Sequence, residues 1–123
     1  MVYFWKNANT LSGIPNPTWV SENLTSEETF AAYKTCGKCL ALSSSGNHLL
    51  VGVMNVTNRD YPISYILFWN NTLNIPSGSK DIAPVWNAGF FDGSLVGVDI
   101  SDSGEEAVAG INTIYCIYSD SLH

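Results

Sequence analysis

Charged residues are scarce in this chain, and basic residues are the scarcest. Of its 123 residues 13% are charged, with 5 Lys and Arg against 11 Asp and Glu, so the net charge is -6. Binding to a phosphate backbone depends on Lys and Arg to neutralise it, and docking on anionic lipid depends on the same residues. The composition therefore argues against nucleic acid and against an anionic membrane surface as partners.

Long apolar runs are also lacking. The longest, such as residues 51–54, fall far short of the roughly 20 residues that span a bilayer, and residues 1–6 lack the pattern of a secretory signal.

Because charged residues are so few, uncharged polar residues must form most of the surface, which is typical of exported or cell-surface proteins. We expect no membrane insertion, and we favour an extracellular or surface location. The candidate glycosylation sites are Asn23, Asn55 and Asn70.

The chain does contain an internal repeat. An apolar segment, a Ser-Gly turn and a second apolar segment occur at residues 40–53 and again at residues 98–111. The turn glycines Gly46 and Gly104 are offset by 104 − 46 = 58 residues. Self-similarity at such a spacing is the mark of a repeat architecture. The sequence therefore predicts one domain made of repeated sheet units.

Strand patterns dominate both copies. Val96, Val98 and Ile100 alternate with small or polar residues, which predicts a strand with these three side chains on one face. Leu40 and Leu42 repeat the pattern in the first copy. A third segment rich in aromatic and β-branched residues follows each copy, at residues 64–69 and 113–118, and this composition favours strands.

A further partial copy lies at the N-terminus. Residues 3–7 match residues 67–71, with Trp5 and Trp69 offset by 69 − 5 = 64. Downstream, Trp19 matches Trp86 in the same Pro-x-Trp context, which predicts a fourth strand after each third one. Residues 26–34 are the only candidate helix, with Ser26 as its cap, and a strand over residues 29–35 is the alternative.

A four-strand unit with a Ser-Gly turn, an aromatic third strand and a Trp in the fourth resembles a β-propeller blade. Residues 98–118 carry the resemblance, because the turn at residues 100–104 resembles the inner-strand turn of WD-repeat and quinoprotein-like blades, as residues 42–46 do less closely. The Pro of that turn, and the Trp-Asp and Gly-His pairs of WD repeats, are absent. The resemblance implies an all-β fold of antiparallel four-stranded blades in a partial ring, and a small β-sandwich is the alternative.

This resemblance also implies domain boundaries. Residues 1–35 hold the last two strands of one blade, residues 36–90 a complete blade and residues 91–123 the start of a third. Because propellers close with roughly four to eight blades and exposed strand edges are templates for pairing, we expect self-association or completion by further chain. The strands at residues 2–5 and 114–118 are the expected places for strand exchange.

One short motif has reactive potential, Cys36-Gly37-Lys38-Cys39. A local disulfide or a pair of plain thiols is the favoured interpretation, and a metal half-site or a redox pair is the alternative. The third cysteine, Cys116, lies in an apolar third strand and is expected to pack as a small apolar residue. We therefore predict no metal centre and no cofactor.

Acidic residues gather around the second copy, and their spacing does not match a calcium-binding loop. We expect them to keep the turns solvated; they are Asp92, Asp99, Asp102, Glu105 and Glu106. His48 aligns with Glu106 between the copies, which predicts that His48 is exposed. No spacing supports a set of catalytic residues, so none is predicted.

The aromatic residues admit two interpretations. Large aromatic side chains dominate the cores between packed sheets, so Trp5, Trp19, Trp69 and Trp86 are expected in the core, and a carbohydrate or peptide platform is the alternative. Two stretches are candidate binding loops on the rim; they are Phe90, Phe91 and Asp92, and Asn58, Arg59, Asp60 and Tyr61. The function expected is a non-catalytic binding or structural module that presents loops for protein or carbohydrate contact. The alternative is part of a propeller enzyme whose active site needs the full ring.

Overall fold

The fold is all-β, as the sequence predicts. A computed structural model describes residues 1–22, 39–55 and 63–112. These residues form nine strands: β1 (Tyr3–Phe4), β2 (Trp19–Ser21), β3 (Leu40–Leu42), β4 (His48–Asn55), β5 (Ile63–Asn70), β6 (Ser79–Ile82), β7 (Trp86–Asp92), β8 (Ser94–Ile100) and β9 (Ala107–Asn112). Two 3-10 turns, Ala8–Thr10 and Thr72–Asn74, are the helical elements of the described residues, and no described helix is long and apolar enough to cross a membrane.

The strands form three sheets. The middle sheet has the order β3-β4-β5-β7 and is antiparallel throughout. The first sheet has the order β1-β2-β6, and the hairpin sheet consists of β8 and β9. None of the three closes on itself, and the described strands form a small, layered β-sandwich.

The first sheet packs on one face of the middle sheet, here called the front face. This core is built from side chains that alternate along the strands, with Trp19 fully buried at its centre. Phe4 stacks on Trp19 with 5.2 Å between ring centroids, and Trp19 lies 6.5 Å from Trp69. The buried members are Val2, Phe4, Trp19, Leu49, Val51, Leu67 and Trp69.

The hairpin sheet packs on the opposite, back face of the middle sheet. Ala41, Leu50 and Ile66 meet Leu95 and Val98 in this second core. The approach is close at Gly52, where a Cβ atom would overlap the Leu95 side chain. A glycine in the second strand of the unit therefore lets the next sheet pack tightly, and the middle sheet is covered on both faces.

The repeated Ser-Gly turn is confirmed bond by bond. The Gly46 N–H donates to the Ser43 carbonyl at 2.9 Å, and the Gly104 N–H donates to the Ser101 carbonyl at 2.9 Å. The φ angles of the two glycines are 80° and 78°, a left-handed region that favours glycine. Each turn also has a serine hydroxyl that accepts a backbone N–H five residues later at 3.1 Å. The 58-residue offset therefore relates equivalent structures.

The N-terminal partial copy is confirmed in the same way. Asn7 and Asn71 both precede a 3-10 turn and both have a left-handed backbone, with φ of 54° and 52°. In each case the N–H three residues later donates to the asparagine carbonyl at 2.9 Å. The predicted fourth strands also exist, because β2 begins at Trp19 and β7 begins at Trp86.

Two features depart from the sequence prediction. The sequence patterns do not predict β6, which pairs in parallel with β2. A segment between the third and fourth strands of the middle sheet therefore joins the first sheet. A bulge lies between Leu95 and Gly97, and it reverses the phase of the expected alternation. Leu95 and Val98 are buried as a result, and Val96 is exposed, contrary to the prediction that it shares a face with Val98.

Candidate binding surfaces

An apolar groove of about 520 Å³ lies on the back face of the middle sheet, beside β9. We call it the outer groove because β7 is the edge strand on this side. Trp86 and Phe91 form its wall and stay roughly half exposed, while Ile66 and Leu50 form its floor. The lining residues are Leu50, Ile66, Trp86, Ala88, Phe91, Ala107, Val108, Ala109 and Ile111.

Trp86 is fixed by aromatic stacking across the strands of the middle sheet. The centroid of its ring lies 5.2 Å from that of Phe68, and the Phe68 ring lies 6.2 Å from the His48 ring. The rings of each pair are stacked with nearly parallel planes. Trp86 is the direct cross-strand partner of Phe68. Cross-strand aromatic pairs stabilise a sheet, so the exposed Trp86 is a rigid contact surface.

A second apolar groove, of about 270 Å³, lies on the front face between β1 and β3. We call it the inner groove. Its floor is Leu40 and Leu42, which are half exposed although their neighbour Ala41 is buried on the opposite face. The first sheet covers Leu49 and Val51 but leaves these two leucines open. The lining residues are Val2, Tyr3, Phe4, Trp5, Leu40, Ala41, Leu42 and Leu49.

The outward faces of the two outer sheets are apolar as well. On the first sheet, Tyr3 and Trp5 are exposed on the face away from the core, with their rings 6.3 Å apart. The Trp5 indole N–H donates to the Pro15 carbonyl at 3.1 Å, which holds the ring in place. On the hairpin sheet, Val96 and Val108 are exposed on the face away from the middle sheet. Exposed apolar side chains on these faces are candidates for contact with a partner.

The expectation that the Trp residues lie in the core is right for half of them. Trp19 and Trp69 are buried, and their indole N–H groups donate to the carbonyls of Thr72 and Ile82 at 3.1 Å. It is wrong for Trp5 and Trp86, which are 41% and 42% exposed. Trp5 lies on the outward face of the first sheet beside the inner groove, and Trp86 lies in the wall of the outer groove.

The residues predicted for one rim loop lie in a strand instead. Phe90, Phe91 and Asp92 belong to β7, with Phe91 opposite Ser64 and Asp92 opposite Ile63. Gly93 alone separates β7 from β8, so no room remains for a loop. Phe91 keeps its candidate binding role through the outer groove. The other predicted loop residues, Asn58, Arg59, Asp60 and Tyr61, lie outside the described residues.

His48 is half-buried, which corrects the prediction that it is exposed. Its Nδ1 lies 3.0 Å from the Ser43 hydroxyl, and its ring supports the second turn, since a Cβ atom on Gly104 would overlap it. The two turns also touch directly, because the Ser44 N–H donates to the Asp102 carbonyl at 3.2 Å. His48 therefore serves as a contact between neighbouring sheets.

Cys39 takes part in a disulfide, and Cys36 and Cys116 lie outside the described residues. Within residues 1–22, 39–55 and 63–112, no group of three His, Cys, Asp or Glu side chains has the geometry of a metal site. The predicted acidic residues Asp102, Glu105 and Glu106 are exposed around the second turn.

The candidate glycosylation sites fall in different places. Asn70 is exposed at the end of β5, and its side-chain oxygen accepts the Asn71 N–H at 2.9 Å. Thr72, which completes that sequon, is buried and donates its hydroxyl hydrogen to the Gly46 carbonyl. Asn55 ends β4, and Asn23 lies outside the described residues.

Comparison with known proteins identifies no relative. No protein-family model, no curated protein and no solved structure matches this chain. The functional interpretation therefore depends on the geometry of the two grooves and of the sheets beside them.

Proposed function

We propose that this protein is a non-catalytic structural and binding module, with a propeller-like arrangement of sheets that is completed by contact with another protein surface. The observation that carries the proposal is the pair of apolar grooves on opposite faces of the middle sheet, each beside a sheet that has fewer strands among the described residues. Apolar surface that remains exposed in this way favours association.

The chemistry of the grooves supports a protein partner more than a carbohydrate. The floors are aliphatic, with Leu40 and Leu42 in one groove and Leu50 and Ile66 in the other. A site for a small ligand such as a sugar needs a few placed polar groups that fix its orientation, and the floors of these grooves offer aliphatic carbon. Among the described strands, β1 and β9 lie at the edges of their sheets, and addition of a strand to such an edge is a common way to recognise a protein segment.

Hydrodynamic mass and tryptophan emission, measured together over a range of protein concentrations, test the proposal. We expect the mass to rise above 13.4 kDa and the emission to shift to shorter wavelength, because Trp5 and Trp86 would lose contact with water. Replacing Phe91 by Thr should weaken both changes. Replacing Ile14 by Thr is the matched control, since Ile14 is fully exposed at 101% and lines neither groove.

A chain that stays monomeric at all concentrations, with unchanged emission, would contradict association as the function. Equal effects of the Phe91 and Ile14 substitutions would contradict the assignment of the binding surface to the outer groove.

A further inference from the structure

We propose that copies of this chain cover each other's grooves, added head to tail, so that the hairpin sheet of one copy and the first sheet of the next join into one sheet. Each such contact covers the outer groove of one copy and the inner groove of the next. The inference rests on the proposed function and deepens it, because it names the partner and the register. In the joined sheet β8 and β9 of one copy and β1 and β2 of the next would follow the order β3-β4-β5-β7 of the middle sheet, and β6 would add a fifth strand.

The two outer sheets are complementary parts of one pattern. In the middle sheet, β3 and β4 form an inner pair and β5 and β7 an outer pair. The 58-residue offset relates β8 and β9 to the inner pair, through Gly46 and Gly104. The 64-residue offset relates β1 to β5, through Asn7 and Asn71, and β2 begins at a Trp as β7 does. Among the described strands, the hairpin sheet therefore supplies an inner pair and the first sheet an outer pair.

The repeat also gives the register of the join. In the middle sheet Val51 of β4 lies opposite Leu67 of β5. Adding 58 to the first number and subtracting 64 from the second places Ala109 opposite Tyr3 of the next copy. The faces agree, since Ala109 packs toward the core beneath it, and Tyr3 would then point toward the outer groove of the same copy as Ala109.

This register covers the exposed apolar surfaces together. Tyr3 and Trp5 of the next copy would lie over the outer groove of the first. On the other side of the joined sheet, Val108 would face Leu42 of the next copy, as Leu50 and Ile100 share the core between the middle and hairpin sheets. All of these side chains except Leu50 and Ile100 are substantially exposed in the single chain. Burial of apolar area is the driving force for such contacts.

The predicted third strand of the second repeat, residues 113–118, lies outside the described residues and is a weaker candidate for the outer groove. Such a strand beside β9 would cover Trp86 and Phe91, but it would leave Leu40 and Leu42 in water on the opposite face of the middle sheet. Further copies of the chain cover both grooves through one kind of contact, and the observations therefore favour them.

Head-to-tail contacts of this kind are heterologous, and they form a ring if the rotation between copies closes. Each copy would supply its middle sheet and half of each of two joined sheets, which amounts to two sheets per copy. Because rings of stacked sheets close with roughly four to eight members, about two to four copies would complete one. The expected masses are about 27, 40 or 54 kDa, as multiples of 13.4 kDa.

Two complementary variants test the polarity of the contact. We call the surface around the inner groove the head and the outward face of the hairpin sheet the tail. Leu42→Lys blocks the head at a residue that is 50% exposed, and Val108→Lys blocks the tail at one that is 65% exposed. We expect each variant alone to be monomeric. Their equimolar mixture should form a 1:1 complex of about 27 kDa, because an intact tail remains on one copy and an intact head on the other. Ile14→Lys is the matched control and should assemble as the unmodified chain does.

Cysteine cross-linking tests the register. Tyr3→Cys in one copy and Ala109→Cys in an affinity-tagged copy should form a disulfide-linked dimer, identified by mass spectrometry of the linked peptides. The control, Tyr3→Cys with Val108→Cys, should link at least tenfold less, because adjacent strand residues point to opposite faces. Each copy carries only one of the two introduced cysteines, so a link between them can form only between copies.

The outcomes separate the inference from the proposed function. If the unmodified chain assembles but the two Lys variants fail to combine, or if the two cysteine pairs link equally, the head-to-tail inference is overturned and the binding module stands. If the unmodified chain is monomeric and substitutions in its grooves change no association, both are overturned. A 1:1 complex with the predicted cross-link supports both.

Discussion

The two Ser-Gly turns are alike in their bonds and different in their surroundings. Both close with the same backbone hydrogen bond at 2.9 Å and the same serine contact at 3.1 Å. Ser43 is nevertheless buried, in a four-stranded sheet with a sheet on each face, whereas Ser101 is half-buried in a two-stranded hairpin. The local sequence thus determines the turn, and the neighbouring sheets determine how much of it is buried.

The largest difference between equivalent positions should appear at the tryptophans that begin the fourth strands. Trp19 is 0% exposed, and Trp86 is 42% exposed. Trp19→Ala should lower the free energy of unfolding by about 3–5 kcal/mol through the cavity it leaves, and Trp86→Ala by about 1 kcal/mol through the lost stacking on Phe68. Urea denaturation at a protein concentration low enough for the chain to be monomeric measures both. Equal losses under that condition would mean that Trp86 is buried in the single chain.

The turn glycines should differ next. Gly104→Ala places a methyl group in the His48 ring, whereas Gly46→Ala meets only Leu73 Cδ2, at 3.7 Å. Both variants carry the cost of a left-handed alanine, roughly 1–2 kcal/mol, and we expect Gly104→Ala to cost about 1–3 kcal/mol more through overpacking.

A double-mutant cycle in urea denaturation tests this cause. The additional cost of Gly104→Ala should shrink in a His48→Ala background. A cost that is unchanged in that background would rule out the contact between the two turns as its origin.

The turn serines provide a smaller contrast. Ser43→Ala removes the hydroxyl that accepts the His48 N–H and contacts His48 Nδ1, and we expect a loss of about 1–3 kcal/mol because these groups are partly buried. Ser101→Ala should cost about 0.5–1 kcal/mol, since water reaches the equivalent N–H of Glu106 more easily. Chemical denaturation of the two variants side by side measures the difference, and a larger loss for Ser101→Ala would contradict the burial assignment.

The smallest contrast is expected at the asparagines before the 3-10 turns. Asn7→Ala and Asn71→Ala both place alanine in a left-handed conformation, and each should cost about 1 kcal/mol. We expect the two losses to agree within about 0.5 kcal/mol, because the effect is confined to the backbone. Thermal denaturation gives the comparison, and a large inequality would show that the two turns differ in their packing.

Sequence alone predicts the features that depend on short-range patterns. The turns around Gly46 and Gly104, the strand character of β3, β4 and β5, and the tryptophans at the start of β2 and β7 all follow from residue types a few positions apart. The offsets of 58 and 64 residues identify equivalent segments without any structure. These features rest on turn chemistry and alternation, which the residues themselves carry.

Other features depend on contacts that no local pattern carries. Ser79–Ile82 has weak strand character, and it becomes β6 because it adds to the edge of β2. The exposure of Val96 follows from a bulge opposite Gly110. Phe91 belongs to a groove instead of a loop, since β7 continues to Asp92 and turns at Gly93. The groove cannot be predicted from local patterns, because it depends on how the sheets stack.

The parallel pairing of β2 and β6 has a consequence for the order of folding. Trp19 pairs with Ser79, so the first sheet depends on residues that are 79 − 19 = 60 positions apart. The pair β1 and β2 alone, with two and three residues, is too short to be stable in water. The N-terminal segment must therefore wait until residue 82 has been synthesised, and non-local contacts of this kind slow folding. By then Leu49, Val51, Leu67 and Trp69 of the front core have already been made. Without a stable first sheet over them these side chains face water, and exposed apolar surface of this kind favours aggregation.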